Sequence, residues 1–159
     1  MRALCAAIAG LALFTASAQA DNIVFNGTVA DTCDLSLMVP PTGTLALSSD
    51  HTILGSDQLG GLPVTVTIAS VGTNTITVGA PTLTQSPPGY ITTGQSIELG
   101  YVGAGLLSAI NKPMGTGGGN FSAGILGLTG STIVVNARVV NSNGFKLGDY
   151  QITSVVTCS

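Results

Sequence analysis

Beyond its first few residues the chain has only two cysteines, Cys33 and Cys158, 125 positions apart. Each lies in a segment whose apolar side chains recur at every second position. In "NIVFNGTVADTCDLSL", Ile23, Phe25, Gly27, Val29, Asp31, Cys33, Leu35 and Leu37 share one side, mostly apolar, while Asn22, Asn26, Thr28, Thr32, Asp34 and Ser36 share the other. That period predicts a half-buried strand, bent near Gly27 or Asp31. In "GDYQITSVVTCS", Tyr150, Ile152, Ser154, Val156 and Cys158 share one face. Both sulfurs therefore point with an apolar set. A Cys33–Cys158 bridge between the first and last strands is expected, with the two lying side by side or across a sandwich. Chain-entropy arguments give such a long closed loop about 4–5 kcal/mol of stabilisation.

A bridge requires an oxidising compartment, and the first twenty residues supply the route. "MRALCAAIAGLALFTASAQA" has a positive start at Arg2, an apolar run from Ala3 to Phe14, and small residues ending at Ala20. These are the three parts of a secretory signal peptide. The apolar run is about half of what spans a bilayer. Residues 1–20 are read as the signal and residues 21–159 as one domain. Cys5 leaves with the signal, so the exported chain keeps an even pair of thiols. No later stretch is long and apolar enough to be a membrane span. The expected location is the periplasm, the cell surface or the medium.

Between the two ends, alternating β-branched segments recur every ten to fifteen residues. Residues 63–70 ("PVTVTIAS") and 73–80 ("TNTITVGA") read as strands joined by a hairpin-like turn, "VGTN". Residues 96–103 ("SIELGYVG") and 131–144 ("STIVVNARVVNSNG") are further strands, the latter the strongest. Residues 42–49 are a weaker candidate. Residues 85–95 and the stretch "NSNGFKLGDY" are rich in turn formers. "GAGLLSAINKPMG" has room for one helical turn, but its glycines and Pro113 stop more. No linker or repeat interrupts the pattern. The prediction is an all-β sandwich of about seven strands.

The chemical inventory is thin. Charged residues are 7% of the chain. With Arg2 removed, three bases (Lys112, Arg138 and Lys146) stand against seven acids, a net charge of −4. A nucleic-acid binder needs a basic stripe, and an anionic membrane surface attracts one; neither partner is expected. His51 is the only histidine, and no nucleophile motif accompanies it. One histidine with a paired disulfide leaves no zinc set. Asp31 and Asp34 fall on opposite sides of a strand, and no other carboxylates pair in the sequence as a glycosidase requires. No calcium loop is present. "GTGGGN" (115–120) lacks the lysine and the helix of a phosphate cradle. No cofactor or catalytic residue is assigned, and the expected class is non-enzymatic.

The opening residues Ile23, Phe25, Gly27, Val29, Thr32 and Cys33 resemble the pattern that starts bacterial fimbrial subunits. Gly148 and Tyr150 resemble the closing strand of pilin-like and spore-coat-U-like secreted domains. The resemblance covers about twenty-five residues at the two ends. It implies an incomplete immunoglobulin-like sandwich, completed by a strand from a neighbouring subunit or a periplasmic chaperone. Only Asp21 and Asn22 precede Ile23 in the exported chain, so a self-complete sandwich is the other arrangement the termini allow.

Two functions follow. The first is a structural or surface-assembly subunit, pilin-like, whose partners are copies of itself or related subunits and a chaperone. Its surface has few Lys or Glu side chains to block strand edges. The alternative is a small lectin-like binding module with a site at residues 85–95 or 111–120.

Overall fold

The computed structural model describes residues 27–28, 32–37, 42–124 and 131–159. The signal segment and the motif residues Ile23, Phe25 and Val29 lie outside them. Twelve strands and one 3-10 turn are present among the described residues. In chain order the strands begin with β1 (Thr32–Leu37), β2 (Ala46–Leu47), β3 (Ile53–Gly55), β4 (Val64–Val71), β5 (Asn74–Val78) and β6 (Thr82–Gln85). They continue with β7 (Ser96–Ala104), β8 (Asn111–Gly115), β9 (Gly119–Ala123), β10 (Thr132–Val140), β11 (Gln151–Thr153) and β12 (Val156–Cys158).

The chain is an all-β, sandwich-like fold in which every pairing is antiparallel. The larger sheet centres on β10, the strand with the strongest β signal. One edge of β10 pairs along its whole length with β7, from Thr132↔Ala104 to Val140↔Ser96. Its other edge is shared, first by β4 (Thr132↔Thr67 to Val135↔Val64) and then by β3 (Arg138↔Gly55 to Val140↔Ile53). Ser56 fills the gap between these two partners. Its amide donates to the Ala137 carbonyl at 2.9 Å, and its hydroxyl accepts from the Ala137 amide and donates to Asn136 Oδ1, both at 3.0 Å. β1 extends this sheet beyond β4, β8 extends it beyond β7, and β2 pairs with β3.

The second layer is built on the last nine residues. β12 pairs with β5, which pairs with β9, while β11 pairs with β6. The two pairs form one continuous ribbon. The Gly79 amide donates to the Val155 carbonyl (2.7 Å), and Ser154 Oγ donates to the Gly79 carbonyl (2.8 Å). Thr75 and Ser159 exchange both backbone hydrogen bonds. The predicted alternation of residues 150–159 holds without a break, Tyr150, Ile152, Ser154, Val156 and Cys158 being half-buried and the residues between them exposed.

The core lies between the layers. Ile68, Leu99 and Ile133 from the larger sheet meet Ile76 and Val78 from the smaller one, and all are fully buried. Tyr101 and Phe121 meet across the same gap with ring centroids 5.8 Å apart. Burying such side chains contributes about 1.5–3 kcal/mol each.

"VGTN" is not a hairpin within one sheet. β4 and β5, on either side of it, belong to different sheets, so the chain crosses over here. Asn74 holds the crossover. Its buried side chain donates to Ser70 Oγ (2.8 Å) and lies within hydrogen-bond reach of the Val71 and Thr32 carbonyls. Periodicity shows that two strands are adjacent in sequence, but not that they pair.

The short β3, β6 and β9 escape a periodicity search because each is only three to five residues long. Of residues 42–49 only Ala46–Leu47 forms a strand. The 3-10 turn Gly105–Leu107 matches the single helical turn expected there. The following residues form β8 in spite of Pro113, because β8 is the last strand of its sheet, where a missing amide costs little.

Candidate functional site

The two sides of the sandwich are closed differently. On one side Cys33 of β1 and Cys158 of β12 form the expected disulfide, with Cα atoms 6.2 Å apart. They tie the end strands of the two sheets across the layers. On the other side β8 and β9, again one from each sheet, are joined by residues 116–118. Gly118 turns so closely over the Val78 carbonyl that a Cβ there has no room. That explains Gly118 within "GTGGGN", a short inter-sheet connection, whereas a Cβ on Gly117 would meet open space.

On the disulfide side the layers do not meet along their whole length. An apolar cleft of about 320 Å³ opens between β4 and β10 below and the β11–β12 segment above. Val64, Val66 and Val135 form one wall, and Ile152 and Val156 form the other. Leu37 and Leu62, both more than half exposed, stand at its mouth. No charged residue lines it. Its size falls within the range of small-ligand pockets. Sequence reasoning found Ile152 and Val156 as an inward face but not the cleft, which needs the second layer to exist.

The free strand edges also differ. Edge strands invite other chains unless charge, proline or cover prevents it. β8 carries Pro113, and its Lys112 points inward. β1 carries the exposed Asp34. From Gln151 to Ser159, by contrast, there is no charged residue and no proline, and Val155 is 63% exposed. The edge of β11–β12 is thus uncharged and lies beside the uncharged cleft.

The residues considered for catalysis do not assemble a site. His51 sits on the turn between β2 and β3 with φ of 59°. Its neighbour Asp50 accepts from Ser48 Oγ (2.6 Å) and the Thr52 amide (3.1 Å), and those hydrogen bonds, the Ser48 one foremost, lower its pKa. Contrary to the expectation that no other carboxylates pair, Asp57 and Glu98 converge on Arg138. The guanidinium lies 2.7 Å from Glu98 Oε2 and 3.2 Å from Asp57 Oδ2. The cluster is an ion-pair network over the β3–β10–β7 surface. No group of histidine, cysteine or acidic residues suited to a metal occurs among the described residues, and no helix among them is long and apolar enough to cross a membrane.

Of the two loops considered as binding sites, residues 86–95 are a loop, and Gln85 ends β6. Tyr90 stacks on Phe145 at 5.9 Å and meets Tyr150 edge-on at 5.2 Å. The Tyr90 hydroxyl accepts from Asn141 Nδ2 at 2.9 Å. Burial raises the Tyr90 pKa against that hydrogen bond. The rings thus join two loops as a satellite core. Residues 111–120 are not a loop: they contain β8, the tight connection and the start of β9. Comparison with protein-family models, curated proteins and solved structures gives no match.

Proposed function

We propose that the chain is an exported structural or surface-assembly subunit, pilin-like, that associates with other copies or related subunits through strand contacts. One observation carries this reading: an uncharged, proline-free edge at residues 151–159 runs beside an open apolar cleft, whereas β8, the edge of the larger sheet on the opposite side, carries Lys112 and Pro113. An incoming strand gains backbone hydrogen bonds along such an edge and side-chain burial in the cleft. The low charge of the whole chain supports the same reading, since about a quarter of residues are charged in an ordinary soluble domain against 7% here. The disulfide supports export.

Sedimentation of the disulfide-bonded protein over a concentration series tests the proposal. Self-association is expected, and it should be abolished by Val155→Lys together with Leu37→Lys, both at exposed positions. A monomer at every concentration, with no surface polymer on the producing cells, overturns it.

A further inference from the structure

The side of the sandwich away from the disulfide carries a second, separate pocket, a hollow open to solvent. It has a volume of about 400 Å³ and lies where β7 and β8 of the larger sheet face β9 of the smaller. Tyr101 and Lys112 stand directly opposite each other across the β7–β8 pair, so both leave the sheet on its inner face. Gly119 lies against both. A Cβ there would come within 2.6 Å of Tyr101 Oη and 3.1 Å of Lys112 Cδ. The missing side chain at Gly119 leaves the phenol and the lysine stem sharing one wall.

Both polar groups are underused. Tyr101 is 3% exposed as a residue, and its hydroxyl, which has no protein partner among the described residues, opens on the pocket. Burial alone acts on it, raising its pKa, so at neutral pH it is a neutral donor. Lys112 is half-buried and forms no ion pair among the described residues, where Arg138 takes both salt bridges. Its one hydrogen bond is a long 3.5 Å contact to the Leu99 carbonyl. An inward lysine protects an edge strand, but edge protection needs neither a cavity nor an unpartnered phenol beside it. Ile110 and Pro113 add apolar wall, and Asn120 adds an amide at the rim.

We infer that this cavity binds a small carboxylate, with Lys112 Nζ and Tyr101 Oη donating to the carboxylate oxygens and the ligand body packing on Ile110 and Pro113. The chemistry fits a simple organic acid or an acidic sugar. It selects against an uncharged sugar, which gives the ammonium no counter-charge. The site is independent of the association surface, since the two lie on opposite sides of the sandwich.

Amide resonances of the isotope-labelled, disulfide-bonded protein, titrated with acetate, glucuronate and glucose, test the inference. Saturable shifts at Gly119, Asn120 and Lys112 are expected with one or both carboxylates below about 10 mM, and not with glucose. Response to acetate as strongly as to glucuronate assigns a simple acid; a preference for glucuronate assigns an acidic sugar. Lys112→Met keeps the stem against Gly119 and should weaken binding about tenfold or more. Tyr101→Phe should weaken binding several-fold while leaving the melting temperature unchanged or raised. Absence of saturation with both carboxylates, glucose binding equal to glucuronate, or unchanged affinity in Lys112→Met overturns the inference. So does a Tyr101→Phe variant that loses stability and keeps its affinity.

Discussion

The phenolic oxygen of Tyr150 lies 2.9 Å from both the amide nitrogen and the carbonyl oxygen of Lys146, accepting from one and donating to the other. One side chain thereby closes the loop that delivers the chain into β11, the arrangement known in β-sandwiches as a tyrosine corner. Two residues earlier, Gly148 has φ of 143°, and a Cβ there would lie 2.6 Å from Pro87 Cβ. The glycine and tyrosine of the closing motif thus have separate physical duties in one corner. Tyr150→Phe keeps the ring among Tyr90 and Phe145 but leaves the Lys146 groups without their partner. Those groups are exposed and turn to water instead, so the change should cost about 0.5–1.5 kcal/mol, measured as a lower denaturant midpoint with an unchanged slope.

The disulfide joins the end strands of two sheets whose other common closure is the β8–β9 connection. Cys33→Ser with Cys158→Ser should lower stability by about 2–5 kcal/mol. Because β12 otherwise pairs, among the described residues, with β5 alone, loss of amide protection should begin at residues 151–159. Hydrogen exchange with and without reductant measures this. Protection lost first in β10 would contradict it.

His51 adopts a left-handed backbone conformation, which costs a residue bearing a Cβ about 1 kcal/mol and costs glycine almost nothing. His51→Gly should therefore raise stability by about 0.5–1 kcal/mol, read as an increase in melting temperature. His51→Ala should leave self-association and carboxylate binding unchanged. Loss of either property with the fold intact would place His51 in a site.

Tyr90 and Tyr101 both have raised pKa values, burial being the main cause. Folding favours the neutral phenol, so the stabilisation is complete below the ordinary value of 10.0 and is lost as pH rises above it. Stability should fall on the alkaline side of that value, and Tyr101→Phe should reduce the slope. Denaturation midpoints across an alkaline series, with tyrosinate absorbance followed in parallel, provide the measurement.

The β class, the core of each long strand and the disulfide were legible in the sequence because they depend on side-chain alternation, a local property with a period of two residues. Cys33 and Cys158 share their faces with apolar neighbours whatever strands lie alongside, and the segments around Ile68, Ile76, Leu99 and Ile133 carry the same period. Tertiary structure alone decided which strands share a sheet, since pairing joins backbone groups far apart in the chain. It sent β4 and β5 to different layers through the Asn74 clamp and recruited the short β3, β6 and β9 as partners of longer strands. It also placed Asp57 and Glu98 on one guanidinium. Both cavities have the same origin. The cleft beside Ile152 and Val156 and the pocket by Tyr101 and Lys112 lie where two layers face each other; the walls of the first come from residues as far apart as Leu37 and Val156, those of the second from the β7–β8–β9 stretch between Tyr101 and Phe121. Side-chain period specifies which way a residue points, whereas only the packing of one sheet on the other determines what it faces.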